Sequence, residues 1–221
     1  MSTDDKNIQQ RLKIMLEQKL KENDLCIESA PGLTLNQLLA SLSEVSPDPF
    51  EKIFYSFKTP IGVFRAITTP ELVHGVELIA LDSKGFRSSK PRMPIQAELE
   101  AQYKAYFAKK LKRFDLPLAM DGLSTFTQKV LKVLQNVPFG ETVSYKELAI
   151  QAGKPNTARA VGGMMARNRW LIAIPCHRVL PVSGKIGMYS APGGADTKAW
   201  LLRHEGHRIE NYKNIRENIN D

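Results

Sequence analysis

The spacing of apolar positions divides this chain into three stretches. In the first, Ile8, Leu12, Met15, Leu16 and Leu20 recur at helical intervals and predict an amphipathic helix over residues 4–22. Thr34 with Gln37 has the form of a capping box ahead of "LNQLLASLSEV", and "SPDP" at 46–49 ends that helix and reads as a linker. In the second stretch, "IFYSFKTPIGVFRAI" (53–67) is two β-rich runs joined by a Thr-Pro-Ile-Gly turn, so a hairpin. "LVHGVELIAL" (72–81) predicts a third strand. A helix over 94–112 then places Leu99, Tyr103, Tyr106 and Phe107 on one face, and "DLPLAMDGLS" connects onward.

From Ser124 the helical period takes over. "STFTQKVLKVLQNV" is a helix ended by "PFG". Ser144 and Glu147 form a capping box, and the helix they start runs to Gly153, a natural C′ residue. A further helix is expected from about Asn156. Two short helices with a tight Gly-containing turn between them make a helix-turn-helix pattern. Later, "LIAIP" reads as a buried strand ending at Pro175, and "AWLLRHEG" reads as a helix end with Gly206 at C′. The expected division is 1–49, a helical extension without a recognisable role; 50–117, an α/β domain; and 118–221, a helix-turn-helix domain that carries the chemistry.

Charge alters this picture by direction. The net charge is +8, but residues 1–115 carry 17 basic and 15 acidic side chains, against 14 and 8 in residues 116–221. The basic half is therefore the helix-turn-helix half, which suggests a polyanion such as nucleic acid, or else a soluble basic surface. No apolar run of about 18 residues exists, so no membrane span is expected. "MSTDDKNIQQ" lacks the apolar core of a signal peptide, and the expected location is cytoplasmic. Two cysteines, Cys26 and Cys176, permit a disulfide on parity, but an intracellular compartment argues against one. There is no CxxC pair, and His74, His177, His204 and His207 have no metal-ligand spacing with either cysteine, so no metal is expected.

Three features carry chemistry. The helix "TARAVGGMMARN" carries small side chains, Ala158, Ala160, Gly162, Gly163 and Ala166, although each internal Gly costs about 1 kcal/mol relative to Ala. Close helix packing explains this as well as close approach to DNA does. Arg159, Arg167 and Arg169 flank it, placed for phosphate contact or insertion into a base stack. Cys176 and His177 pair a nucleophilic thiol with a base, provided the chain turns at Pro175, since strand neighbours face opposite ways. A cationic surround would raise the thiolate fraction. The alternative is a buried Cys acting as a small hydrophobe. Glu205, in a helical last turn where negative charge is unfavourable, is placed to orient an imidazole or simply to fray into solvent. Between them, "GKIGMYSAPGGAD" is a loop carrying Tyr189 and Ser190 that can wall a pocket or only connect.

"PCHRV" with "SYKELA", "ARAVGGMMARN", "GMYS" and "WLLRHEG", in this order and spacing, closely resembles the O6-alkylguanine-DNA alkyltransferases, the methylated-DNA–protein-cysteine methyltransferases. The likeness spans residues 53–208 and is strongest from Gly122 onward. It implies an α+β fold: an RNase H-like sheet and helix, then a mainly helical winged helix-turn-helix domain. It implies a monomer that binds double-stranded DNA through the minor groove, flips an O6-alkylated guanine into a pocket, and moves the alkyl group irreversibly to Cys176 without cofactor or metal. O4-alkylthymine is a second candidate substrate.

The resemblance assigns roles residue by residue. Cys176 is the acceptor, His177 takes its proton through a water, Glu205 orients His177, and Asn168 braces the relay. Tyr145 donates a proton toward the guanine ring. The Ser190 backbone N–H binds the departing oxygen, the carbonyls of Cys176 and Val179 accept from the exocyclic amine, and Met165 with Tyr189 lines the alkyl pocket. Arg159 fills the vacated stack, and Ala158, Ala160, Gly162, Gly163 and Arg167 lie against DNA. The loop after "GMYS" is longer than the family's compact form, which opens the question of bulky alkyl groups. Three rival readings remain: a non-catalytic lesion sensor, a Cys/His hydrolase, and a sequence-specific DNA-binding regulator.

Overall fold

The computed structural model describes residues 51–81 and 88–209, all within the compact unit Pro49–Asp221. The helices expected over 4–22 and after Thr34, and Cys26, lie outside the described residues. Strands β1 (Ile53–Thr59), β2 (Gly62–Thr68) and β3 (Val73–Ala80) form an antiparallel sheet in the order β1-β2-β3. The expected turn is present: Thr59 pairs with Gly62 across Pro60 and Ile61. Gly62 has φ +129°, and a Cβ there would run into the Ala80 carbonyl, so the hairpin and its neighbour β3 both require glycine at this corner.

Helix α1 (Pro94–Phe107) covers one face of the sheet with Leu99 and Tyr103 fully buried. Tyr103 lies 5.5 Å, ring centre to ring centre, from both Phe57 and Phe64. The helix is shorter than the expected 94–112. Lys109 adopts φ +59°, and the chain turns back so that Phe114 reaches the Tyr103 ring at 4.9 Å and the Tyr106 ring at 5.6 Å. Burying Phe114 under the helix outweighs continuing the helix into solvent.

Helix α2 (Thr125–Gln135) is capped by Ser124, whose hydroxyl accepts from the Thr127 N–H. The two-residue strand β4 (Val143–Ser144) leads into α3 (Tyr145–Gln151), where both capping-box bonds form: Glu147 N–H to Ser144 Oγ, 3.1 Å, and Ser144 N–H to Glu147 Oε2, 2.8 Å. Gly153 ends it with φ +81°. Helix α4 (Ala158–Ala166) begins two residues later than expected, because Asn156 takes φ +68° and Thr157 becomes the N-cap. Strand β5 (Val179–Leu180) pairs in parallel with β4, and α5 (Gly194–His204) closes the described chain.

The segment 170–174 corrects the sequence reading: it is not a strand. Ile172 has φ +70°, Leu171 and Ile174 bridge locally, and Cys176–Arg178 is one turn of 3-10 helix. The free edge of β3 holds this segment in place. The Val76 N–H donates to the Arg169 carbonyl at 2.7 Å, the Leu171 N–H to the Val76 carbonyl at 2.9 Å, and Trp170 Nε1 to the Val73 carbonyl at 2.7 Å. Tyr103 of α1 also donates its hydroxyl to the Leu171 carbonyl. One buried cluster runs from the sheet through α1 to α4 and the 170–179 segment, so the turn that carries Cys176 is built on core.

Candidate active site

Cys176 is buried, 4% exposed. Asn168 holds it: Nδ2 lies 3.2 Å from Sγ and 2.9 Å from the Ile174 carbonyl, while Oδ1 accepts from the Trp170 N–H at 3.1 Å. Asn168 thus ties the end of α4 to both sides of the turn before the thiol. The Tyr189 hydroxyl approaches Sγ at 3.8 Å. Because 176–178 is 3-10 helix, Cys176 and His177 do not face opposite ways as strand neighbours would, and the turn needed at Pro175 is made by this helix.

His177 points into the core. Its Nε2 lies 2.8 Å from Glu205 Oε1, and its buried Nδ1 meets no partner among the described residues. Glu205 is the C-cap of α5 and carries four further hydrogen bonds. Arg178 donates Nε to Oε2 at 2.8 Å and Nη2 to Oε1 at 2.9 Å. The Tyr106 hydroxyl donates to Oε1 at 2.8 Å, and the Gly140 N–H to Oε2 at 3.3 Å. The carboxylate at an unfavourable helix end is therefore neither frayed nor solvated.

Electrostatics follow from burial and these partners. Burial alone would raise the Glu205 carboxyl, but the hydrogen bonds and charges of His177 and Arg178 hold it well below the ordinary carboxylate range. Burial lowers His177 despite the pull of Glu205, with Arg178 and Lys198 acting in the same direction as burial, so the imidazole rests neutral. Burial pushes the Cys176 thiol up, against the Asn168 and Tyr189 hydrogen bonds and the field of Lys198. The field of Lys198 acts as expected of a cationic surround, but burial outweighs it, and the thiol rests neutral beside a neutral imidazole. Burial brings Lys198 down to about 8; its Nζ donates to the Val179 carbonyl at 2.7 Å.

The sequence-predicted residues separate into two groups. Asn168 and Tyr189 meet the Cys176 thiol, and Glu205 meets His177, the chain neighbour of Cys176. Met165 and Val179 are buried in the same cluster, and Tyr145 follows the β4–β5 pair that joins Val143 to Val179; it is raised by burial and by the nearby Cys176. Ser190 is exposed at the edge of a cavity of about 370 Å³ that Asn168, Leu171, Arg167, Arg169 and His74 also line. Arg159, Ala160 and Arg167 lie on the exposed face of α4, with Ala158, Gly162 and Gly163 half-buried beside them.

The glycine pair is not forced by packing. A Cβ on Gly162 would meet the Tyr145 ring at 3.9 Å, and one on Gly163 the Arg167 guanidinium at 3.5 Å, both ordinary contacts. Sequence reasoning missed Tyr106, Gly140 and Lys198, and did not place Arg178 against Glu205. Arg178 is 4% exposed, and its remaining nitrogen donates to the Val137 carbonyl at 2.6 Å. Its position inside the apolar run "IPCHRVL" was the available signal, since a buried guanidinium needs a paired carboxylate. Among the described residues no group of three or more His, Cys, Asp or Glu could hold a metal ion, and no helix is long and apolar enough to cross a membrane.

Residues 125–207 match the family model described as "6-O-methylguanine DNA methyltransferase, DNA binding domain". The methylated-DNA–protein-cysteine methyltransferase of Methanosarcina barkeri is 40% identical over 150 residues, covering 61% of this chain and 93% of that protein. The Mus musculus protein of the same name is 44% identical over 158 residues, covering 68% of each. The Homo sapiens one is 56% identical over 86 residues, and that match covers 38% of this chain and 41% of the human protein. Among solved structures, Mycobacterium tuberculosis OGT in complex with DNA is 35% identical with a TM-score of 0.60, covering 69% of this chain and 91% of that one.

Proposed function

The chain belongs to the methylated-DNA–protein-cysteine methyltransferases, and on that premise we propose that Cys176 is the acceptor to which it transfers, once and irreversibly, the alkyl group of O6-alkylguanine in DNA. The observation that carries the assignment is the buried thiol held by Asn168, next in the chain to a buried His177 whose Nε2 meets Glu205 and whose Nδ1 has no partner among the described residues. A neutral imidazole with Nε2 committed to a carboxylate presents an Nδ1 lone pair, and that lone pair accepts the thiol proton through a water. Sγ then attacks the alkyl carbon, the carbon–O6 bond breaks, and its electron pair passes to the base. Tyr145 protonates the guanine ring and is reprotonated through solvent as His177 releases the proton it took, so the net proton moves from thiol to base and the product is a stable thioether.

The Ser190 N–H faces the departing O6. The Cys176 and Val179 carbonyls accept from the exocyclic amine with their remaining lone pairs, since the first already accepts from the Val179 N–H and the second from Lys198. Met165 and Tyr189 wall the alkyl group. Delivery belongs to α4: its small outer face lies in the minor groove, and Arg159 enters the stack when the damaged base swings out. The partner is duplex DNA, the protein acts as a cytoplasmic monomer, and no cofactor takes part. The sheet with α1 corresponds to an RNase H-like domain at 50–117, and α2 to α5 to a winged helix-turn-helix domain at 118–221. O4-alkylthymine is a secondary substrate.

The test is intact-protein mass spectrometry after mixing with a duplex bearing one O6-methylguanine, followed by peptide mapping. One added methyl on Cys176 with guanine restored supports the reading. Tight lesion binding by an unmodified protein would replace it with the non-catalytic sensor.

A further inference from the structure

Tyr106 belongs to α1, on the sheet side of the molecule, yet its hydroxyl lies 2.8 Å from Glu205 Oε1, the same oxygen that His177 Nε2 meets at 2.8 Å. The two residues are 99 positions apart in sequence. We propose that Tyr106 is a positioning residue of the proton relay: its hydroxyl takes up part of the Oε1 charge, limiting how strongly Glu205 stabilises a protonated His177. The inference rests on the role of His177 as base in the alkyl-transfer reading and extends the relay by one member, drawn from the α/β half of the chain.

The geometry leaves the hydroxyl no other evident task. Tyr106 is fully buried, and burial together with Glu205 pushes its phenol well above the ordinary value, so it stays a donor at every working pH. Its ring is fixed from several sides: Phe107 at 5.2 Å, Phe114 at 5.6 Å, Phe139 at 5.9 Å and His204 at 5.2 Å. Its backbone carbonyl lies 3.1 Å from His204 Nε2 on α5, a second tie to the helix that carries Glu205.

Oε1 therefore has three donors, His177, Tyr106 and Arg178 Nη2. A carboxylate oxygen divided among three donors binds each less strongly than one divided between two. The groups facing His177 are Glu205 at the C-cap of α5, Lys198 from α5 and Arg178 from its own turn; those facing Tyr106 are Glu205, His204 from α5, Arg178, Tyr103 from α1 and Tyr189.

Tyr106→Phe keeps the ring and removes only the third donor. The hydrogen bond of Glu205 to His177 then strengthens, the imidazolium is favoured, and His177 titrates higher. The expected result is an upward shift of the acid limb of the alkylation pH profile by about one unit, with duplex affinity unchanged. NMR titration of the His177 ring in the unreacted, DNA-free protein, assigned with His177→Gln, should show the same upward shift. That readout stands apart from alkyl transfer, so failure of the parent reading and failure of this inference are distinguishable. A role in packing alone would lower the melting temperature and the plateau rate while leaving both titrations in place. An unmoved or downward-shifted titration overturns the proposal.

Discussion

The neighbourhood of Glu205 and the outer face of α4 spend polarity in opposite ways. Around Glu205 one carboxylate accepts five hydrogen bonds, from His177, Tyr106, Gly140 and twice from Arg178, all within the core. On α4, Ala160, Ala166 and two arginines face outward beside glycines that packing does not require. The first region is over-determined and the second is under-filled. A relay must hold a proton acceptor in one place before substrate arrives. A surface that meets DNA must leave room for what is absent. The difference teaches that chemistry and delivery are built separately, and substitutions should separate them.

The largest effect belongs to the relay. Cys176→Ala should abolish alkyl transfer completely while retaining duplex affinity, measured by mass spectrometry and by anisotropy. Loss of binding in a folded variant would mean that the regions are not separate. Next, Glu205→Gln leaves Arg178 buried without its charge partner, which should lower stability by about 3 kcal/mol and transfer on the order of a hundredfold. Because the folded Glu205 carboxyl is held below its unfolded value, the stability it contributes is full above the unfolded value and is lost as pH falls through the folded one. Denaturant titrations should therefore find the gap between wild type and Glu205→Gln narrowing in acid.

Smaller effects belong to delivery. Arg159→Ala should slow repair of a duplex about tenfold and leave reaction with free O6-alkylguanine base alone. Gly163→Ala should stabilise the folded chain by up to about 1 kcal/mol while weakening duplex affinity. Unchanged affinity would return the glycine pair to helix packing. Ser144→Ala removes one capping bond and should lower stability by about 1 kcal/mol with no direct change in the relay.

Local chemistry was legible in the sequence and long-range pairing was not. The Ser144–Glu147 box, the Thr-Pro-Ile-Gly corner and the adjacency of Cys176 and His177 are short-range patterns, and each appears where it was read. The apolar run at 171–174 was misread because burial alone cannot distinguish a strand from a buried turn; β3 supplies the hydrogen bonds that let Ile172 adopt a left-handed conformation. The early end of α1 depends on Phe114 finding Tyr103 and Tyr106. Tyr106 and Gly140 reach Glu205 from 99 and 65 residues away, a distance over which no local pattern points.

The most direct measurement is a pair of single-turnover rates, for a duplex carrying O6-methylguanine and for free O6-alkylguanine base, in wild type, Arg159→Ala and Glu205→Gln. Separate regions predict that Arg159→Ala loses rate on the duplex only and that Glu205→Gln loses the same factor on both substrates. An equal loss on both for Arg159→Ala, or a loss confined to the duplex for Glu205→Gln, would contradict the account.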